Sequence, residues 1–220
     1  MSDSEPPEQL RAAAEHYFGD RLELAVRYAE LLATDGVVRG LIGPREAPRM
    51  WDRHLLNCAA VVELIPSGAR VVDVGSGAGL PGVVLAIARP DVAVVLVEPL
   101  ARRTAFLSEV ATTLGLTAIS VVRARAEECV TSRQRRFDPA DVVTARAVAP
   151  LDRLIAWCLP LAAEGGRVLA LKGESAAEEI EVHQRAVRAA GGGMPSVRLC
   201  GAGVIDPATT VVEIERTRRR

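Results

Sequence analysis

The sequence feature that most constrains the fold is the stretch VVDVGSGAGLPG at residues 71–82, which joins an apolar run to four glycines. Its first residues are β-branched and apolar, as in a buried strand, and an apolar helical pattern follows the last glycine. A strand that turns through glycines into a helix lets the backbone approach a ligand closely and points helix N–H groups at it. The stretch therefore predicts a nucleotide-type cofactor site.

Two kinds of cofactor fit this stretch. Gly77, Gly79 and Gly82 spell G-x-G-x-x-G, the pattern that seats a pyrophosphate in dinucleotide-binding domains. Asp73 favours the other kind, because a carboxylate pointing into the loop repels a pyrophosphate and attracts a cation such as the sulfonium of S-adenosylmethionine. An alternative role for Asp73 is to accept hydrogen bonds from the amides of the loop. Both interpretations are open at this point.

The chain after residue 68 alternates short apolar runs with amphipathic stretches. The predicted strands are residues 70–74, 92–97, 118–122, 140–144 and 167–171. The predicted helices are residues 81–88, 101–114, 151–161 and 175–190. Because the runs are apolar throughout, both faces of each strand should be covered, which predicts a doubly wound α/β domain with a parallel sheet.

The end of the chain departs from this alternation. Residues 196–200 and 209–216 read as two strands with no helix between them. An antiparallel pair added to a parallel sheet is typical of the class I S-adenosylmethionine-dependent methyltransferase fold, a Rossmann-like fold, whereas a dinucleotide-binding sheet usually continues with helical crossovers. This analogy of fold favours a methyltransferase.

The first part of the chain is predicted to be helical at residues 8–18, 20–33 and 47–65, with Asp20 as N-cap of the second helix. We therefore expect an N-terminal helical extension at residues 1–67, packed on a cofactor-binding main domain at residues 68–220. A chain of 220 residues with 49% hydrophobic residues is long enough for one such domain with a modest extension.

Composition narrows the range of environments and partners. The acidic, proline-containing start of the chain and the short apolar runs predict neither a secretory signal nor a membrane span, so we expect a cytoplasmic protein. The four cysteines and three histidines are too scattered to predict a disulfide framework or a metal site. The net charge is −1, but the basic residues, all arginine except Lys172, occur in clusters that suit phosphate binding.

Ligands of a parallel sheet bind at the carboxyl ends of its strands, so the residue after each strand is a candidate. Gly75, Gly77 and Leu80 follow the first strand. Glu98 follows the second, 21 residues after Gly77, where a carboxylate accepts ribose hydroxyls in either kind of cofactor.

The third strand is followed by Ala126 and Glu127, where adenine would need an acceptor for its amine and a backbone donor for its ring nitrogen. Glu127 alternatively begins a solvated helix. Arg146 follows the fourth strand, in Thr144-Ala145-Arg146-Ala147. Its guanidinium suits a cofactor carboxylate or an RNA phosphate, or it folds back to a nearby acid.

The fourth strand carries neither the N-P-P-Y-like loop of enzymes that methylate exocyclic amines nor an activated cysteine. Guanine N7 carries a lone pair and no proton, so it can accept a methyl group without a general base. Aligning two such reactants is worth on the order of 7–11 kcal/mol. No catalytic acid or base is therefore expected.

Several segments in a fixed order carry a family resemblance. They are Arg53-His54-Leu55-Leu56, the glycine stretch, Arg102-Arg103, Arg125-Ala126-Glu127-Glu128, Thr144-Ala145-Arg146-Ala147 and Leu169-Ala170-Leu171-Lys172-Gly173. In this order they resemble the RsmG (GidB) family of bacterial small-subunit ribosomal RNA methyltransferases. The sequence departs from the family at Asn57 and Cys58, where the family often has Asp-Ser.

The resemblance implies methylation of N7 of guanine 527, in the 530 loop of 16S ribosomal RNA, within the small ribosomal subunit or its precursor. It also implies S-adenosylmethionine as cofactor, contacted at Gly75, Leu80, Ala126, Glu127 and Arg146. An NAD(P)-binding Rossmann oxidoreductase is the alternative function.

An aromatic content of 3% leaves few rings for stacking splayed bases, so we expect a compact RNA fold bound through its phosphates. The candidates for this contact are Arg123, Arg125 and Lys172. His54 is a further candidate on the substrate side, with a locally satisfied helix histidine as the alternative. For the three cations the alternative is ordinary solvated surface charge.

Overall fold

The computed structural model describes residues 4–130, 135–146 and 149–217, and these residues form one seven-stranded sheet. Its strands are β1 (Arg70–Val74), β2 (Ala93–Val97), β3 (Ile119–Val122), β4 (Ala140–Arg146), β5 (Ala162–Leu171), β6 (Ser196–Cys200) and β7 (Thr209–Glu215). The order across the sheet is β3-β2-β1-β4-β5-β7-β6.

The first five strands are parallel, and β7 lies antiparallel between β5 and β6. The predicted parallel sheet with a terminal antiparallel pair is therefore confirmed. The strand order reverses between β1 and β4, the position at which doubly wound sheets bind ligands.

The observed strands differ from the predicted ones mainly in length. β4 continues to Arg146, and β5 begins at Ala162 rather than at residue 167. The first half of β5 contains exposed residues and forms no continuous apolar run, so it was not predicted as part of a strand. Ala147, which follows β4, lies outside the described residues.

Seven α-helices are present in the described ranges. They are α1 (Glu8–Phe18), α2 (Leu22–Leu31), α3 (Leu56–Ala59), α4 (Gly82–Ala88), α5 (Ala101–Thr113), α6 (Leu151–Cys158) and α7 (Ala176–Ala189). Within these ranges, no helix combines the length and the apolar character that crossing a membrane requires.

Two details of the predicted helices are wrong. Asp20 lies in a 3₁₀ turn, and α2 begins at Leu22 without a side-chain cap. The helix predicted at residues 47–65 is instead a mixed segment, with a π-helix at Met50–Leu55, the short α3, and 3₁₀ turns at both ends. Apolar spacing identifies the buried face of such a segment but does not determine its hydrogen-bond pattern.

The core lies on both faces of the sheet. On one face, Tyr28 and Leu55 of the N-terminal region pack in the same buried cluster as Val71 of β1 and Leu85 of α4. The opposite face, which includes Val72, is covered by α6 and α7. The N-terminal helices therefore share a core with the sheet, and a division into domains at residues 67 and 68 stays a prediction.

Gly82 allows α4 to approach β1 closely. Its N–H donates to Asp73 Oδ2 at 3.1 Å. A Cβ on Gly82 would lie 2.9 Å from the Cβ of Asp73 and would also collide with Leu96. Gly68 offers a contrast, because its φ of +67° is unfavourable for other residues but a Cβ there would meet open space.

We expect Gly82→Ala to lower the free energy of unfolding by about 2 to 3 kcal/mol, because backbone and buried side chains must move to admit the methyl group. Gly68→Ala should cost only about 1 kcal/mol, from backbone conformation alone. Urea unfolding of both variants measures the difference. Equal costs would show that α4 does not approach β1 as closely as described.

Candidate functional site

The glycine loop, residues 75–82, connects β1 to α4, and its amides are already hydrogen-bonded. The N–H groups of Gly75 and Ser76 donate to Val97 O at 2.9 and 3.2 Å. The N–H groups of Gly79 and Leu80 donate to Ser76 O at 2.7 and 3.1 Å. The loop therefore presents a close backbone surface rather than a row of free donors.

Asp73 lies beneath the loop with no exposed surface. Its Oδ2 accepts the Gly82 N–H at 3.1 Å, and its Oδ1 accepts the Thr144 hydroxyl at 2.9 Å. Of the two predicted roles, the structure shows the one in which the carboxylate binds a loop amide. The prediction that α4 points free N–H groups at a ligand is wrong at Gly82, the first residue of this short helix.

Glu98 is on the other side of the loop, at the end of β2, and is 1% exposed. One carboxylate oxygen accepts the Gly77 N–H and the other the Leu100 N–H, each at 3.0 Å. Arg103 Nη1 lies 3.6 Å from Glu98 Oε2. Glu98 is at the predicted position and supports the loop from the side of β2.

Tyr28 of α2 contacts the loop from the N-terminal region. Its hydroxyl donates to Ala78 O at 2.7 Å, and the side chain is fully buried. Burial raises the pKa of Tyr28 well above its ordinary value, so the phenol remains a donor. This contact was not predictable from local sequence, since Tyr28 and Ala78 are 50 residues apart.

A small pocket of about 200 Å³ opens beside the loop. It brings together three of the predicted cofactor residues, Gly75, Ala126 and Glu127. Trp157 of α6 also lines it and was not predicted, although a tryptophan in a chain with so few aromatic residues was a usable signal. Leu80, another predicted residue, is buried within the loop.

A large cleft of about 690 Å³ lies between the N-terminal region and the ends of β4 and β5. It is lined by Arg49, Asp52, Arg53, Asn57, Arg146, Leu171, Lys172, Gly173, Asp206 and Pro207. Arg146 thus faces the large cleft and not the small pocket. The two sites are neighbours, because Val74 pairs with Ala145 and so Gly75 and Arg146 follow paired positions on adjacent strands.

The Arg146 guanidinium folds back onto the N-terminal region. Its Nη1 donates to Cys58 Sγ at 3.1 Å, and its Nη2 donates to His54 Nδ1. His54 Nε2 lies 3.0 Å from Glu46 Oε2. The predicted alternative of a direct pairing with an acid is therefore incorrect, because an imidazole and a thiol take that place.

His54 is 6% exposed and enclosed by this network. Its ring has local partners, as in the alternative of a locally satisfied histidine. A direct contact with RNA stays a prediction. Burial and the neighbouring Arg146 lower the pKa of His54, against the opposing effect of Glu46. The ring is therefore neutral at pH 7.

The three cations predicted to bind RNA are in different places. Lys172 lines the large cleft, where its Nζ donates to Glu179 Oε2 at 2.8 Å and to Ala149 O at 3.0 Å. Arg123 and Arg125 are exposed, and Arg125 lines the small pocket. The cleft also contains Arg49 and Arg53, which the sequence analysis did not select.

Comparison with known proteins identifies the family. The family GidB, rRNA small subunit methyltransferase G, matches residues 21–212. The chain belongs to this family. The predicted resemblance is confirmed, and with it the prediction that the chain is an enzyme of the methyltransferase class.

Relatives match over nearly the whole chain. The ribosomal RNA small subunit methyltransferase G of Salinispora tropica is 66% identical over 216 residues, 97% of this chain and 89% of the relative. The protein of the same name from Corynebacterium efficiens is 54% identical over 206 residues, 94% of this chain and 88% of the relative.

Solved structures agree on the fold of this GidB-family chain. An S-adenosylmethionine-dependent O-methyltransferase from Thermotoga maritima superposes with a TM-score of 0.55 at 16% identity, over 73% of this chain and 64% of that one. An rRNA methylase from Streptococcus thermophilus gives a TM-score of 0.50 at 15% identity, over 74% of this chain and 95% of that one. The predicted class I methyltransferase fold is confirmed.

Four cysteines of this family member are free and buried: Cys58, Cys129, Cys158 and Cys200. Within the described ranges, no three His, Cys, Asp or Glu side chains come together in an arrangement that would hold a metal ion.

The buried carboxyl of Asp73 should make the stability of the protein depend on pH. Burial raises its pKa from 3.8 to about 6, against the hydrogen bonds from its neighbours. The pKa of Asp73 is higher in the folded state than in the unfolded state. The contribution of its protonated carboxyl to the stability of the fold is therefore complete below pH 3.8 and is lost as the pH rises through about 6. The difference in the free energy of unfolding between the wild type and Asp73→Asn should therefore narrow by about 2 kcal/mol from pH 4.5 to 7.5.

Urea unfolding at a series of pH values measures this gap. Asp91→Asn is the control, because the pKa of Asp91 lies below its ordinary value and its carboxylate is ionised in both states over this range. Its gap to the wild type should stay constant. A constant gap for Asp73→Asn as well would contradict the predicted titration.

Proposed function

We propose that the protein transfers a methyl group from S-adenosylmethionine to N7 of guanine 527 in the 530 loop of 16S ribosomal RNA. The substrate is the RNA within the small ribosomal subunit or its precursor, and the reaction takes place in the cytoplasm. The proposal joins the family membership to the geometry of the two adjacent sites.

The observation that carries the proposal is the junction of the small pocket and the large cleft at the ends of β1 and β4. One site is mostly backbone and apolar side chains, and the other is polar and rich in arginine. A methyl donor seated in the first and extending toward the second would present its methyl group to an acceptor in the cleft. The pairing of Val74 with Ala145 sets this adjacency.

The residues of the small pocket fit the adenosine part of S-adenosylmethionine. Gly75 has no side chain to obstruct a flat ring, and Ala126 and Trp157 supply apolar walls. The exposed Glu127 is an acceptor for the adenine amine. Glu98 has lone pairs beyond the two that Gly77 and Leu100 use, and we assign these to the ribose hydroxyls. Because Glu98 is 1% exposed, this contact requires a small movement of the loop at Gly77.

The methionine part would run past Gly77 and Leu80 toward Arg146, whose guanidinium suits its carboxylate. When bound, S-adenosylmethionine supplies an electrophilic methyl carbon on a positively charged sulfur. The buried carboxylates of Asp73 and Glu98 make the base of the loop negative, which favours a cationic ligand.

The bonded amides of the loop argue against the oxidoreductase alternative. A pyrophosphate binds to free N–H groups at a glycine loop. Here the amides of Gly75, Gly77 and Gly82 donate to Val97, Glu98 and Asp73. Binding a pyrophosphate would therefore require the loop to open and would place its charge near two buried carboxylates.

The contribution of the chain to catalysis is alignment. Because N7 of guanine has a lone pair and no proton, its attack on the methyl carbon requires no base, and we assign no proton transfer to Asp52 or Asp206 in the cleft. Arg49 and Arg53, with side chains 56% and 55% exposed, and Lys172 supply charge for RNA phosphates. Arg123 and Arg125 extend this surface from the far side of the small pocket.

Methyl incorporation from labelled S-adenosylmethionine into small subunits and bare 16S RNA from an unmethylated strain tests the reaction. We expect one methyl group per RNA, on guanine 527, and mass spectrometry of nuclease fragments identifies its position. Incorporation should fall steeply as salt is raised, because phosphate contacts are screened.

Calorimetry should detect binding of S-adenosylhomocysteine and not of NADH. Binding of NADH alone, or methylation of another base, would overturn the proposal.

Glu127→Ala should weaken S-adenosylhomocysteine binding about tenfold, because one hydrogen bond to a charged acceptor is lost. Glu127 is exposed, so the melting temperature should not change. Glu178→Ala, which removes an exposed carboxylate from the first turn of α7, is the matched control and should bind normally. Equal affinities for both variants would remove Glu127 from the adenine site.

A further inference from the structure

Arg146 is the one predicted cofactor residue whose side-chain partners come from the N-terminal region. His54 and Cys58 are 92 and 88 residues before it in the chain. The end of β4 fixes its backbone, but these two partners fix the direction of its guanidinium.

The chemistry of these contacts defines a single proton arrangement. A guanidinium is only a donor, so His54 Nδ1 must present its lone pair to Arg146. The ring proton is then on Nε2, from which it donates to Glu46 Oε2 at 3.0 Å. Glu46 thereby selects the histidine tautomer that accepts from Arg146.

The charges around His54 are consistent with a neutral ring. Arg146 faces it from β4, Glu46 from the preceding loop and Arg53 from its own segment. Burial and the two arginines lower the pKa of His54, and Glu46 opposes them. Arg53 Nη1 also lies 3.4 Å from Glu46 Oε1, which leaves the other oxygen of that carboxylate for His54.

We propose that His54 is a positioning residue: oriented by Glu46, it holds the Arg146 guanidinium at the junction of the two sites, where the fork binds the carboxylate of the methyl donor. The inference rests on the proposed function, since it assigns the carboxylate of S-adenosylmethionine to Arg146. His54 itself touches neither substrate nor cofactor. It acts through Arg146 alone.

Two ligands that differ in the amino-acid carboxylate distinguish this positioning role of His54 from a purely structural role. S-adenosylhomocysteine carries the amino-acid carboxylate, and 5′-methylthioadenosine has the same adenosine and sulfur without it. His54→Leu removes the acceptor for Arg146 and should weaken S-adenosylhomocysteine binding about tenfold while leaving 5′-methylthioadenosine binding unchanged. Arg146→Ala should show the same selective loss.

Three further variants sharpen the experiment. His54→Asn keeps an oxygen near the position of Nδ1 and should recover part of the affinity. The double variant of His54→Leu with Arg146→Ala should bind no more weakly than Arg146→Ala alone, because one residue acts through the other. His183→Gln changes a histidine on α7 and is the matched control, with both affinities expected to equal those of the wild type.

Calorimetry gives the two affinities, and thermal unfolding shows that each variant is folded. If His54→Leu does not fold, Glu46→Ala tests the same role at a partly exposed position. We expect it to cause a smaller selective loss of affinity for S-adenosylhomocysteine. Equal weakening of both ligands, or of neither, in folded variants would overturn the role of His54. A wild type that binds neither ligand would instead overturn the proposed function.

Discussion

The hydrogen bonds of the buried Asp73 carboxylate join the three elements on which the site depends. The residue belongs to β1, its partner Thr144 to β4, and its partner Gly82 begins α4. A carboxylate without solvent is tolerated only where hydrogen bonds compensate its lost hydration. The distances between β1, β4 and α4 are therefore tied together, and with them the path of the glycine loop.

Glu98 and Tyr28 complete the support of that loop. Glu98 accepts the Gly77 N–H from the side of β2, and Tyr28 donates to Ala78 O from the N-terminal region. The loop is thus held by side chains from several elements, and its amides are used in holding it. What it offers a ligand is shape and negative potential, which suits a flat, cationic cofactor better than an anion.

The sequence predicted those features that follow from local pattern. Continuous apolar runs predicted the parallel strands. The ends of those runs gave Gly75, Ala126 and Glu127 as cofactor candidates, and these three residues line one pocket. Helix type was not predictable at residues 47–65, because apolar spacing reports burial and not hydrogen bonding. The exposed start of β5 was missed for the related reason that it has no continuous apolar run.

Contacts between distant parts of the chain could not be predicted in this way. Nothing near Arg146 in the sequence indicates that an imidazole and a thiol about 90 residues earlier receive its fork. The burial of His54 has the same origin, because the groups that enclose it belong to β4 and to the loop that carries Glu46. The sequence identified Arg146 and His54 as candidates near a ligand, but it did not indicate that the two side chains contact each other.

The ion pairs of the large cleft bear on how an RNA would bind there. Arg49 pairs with Asp52, Arg53 with Glu46, and Lys172 with Glu179. A phosphate that enters must replace or share these carboxylates, so each new contact is an exchange and gains less than a phosphate meeting an unpaired cation would. Such a surface attracts RNA weakly in general, in keeping with a net charge of −1. On the proposed function, tight binding would require an RNA whose phosphates match several of these cations at once, and that requirement would favour a folded target.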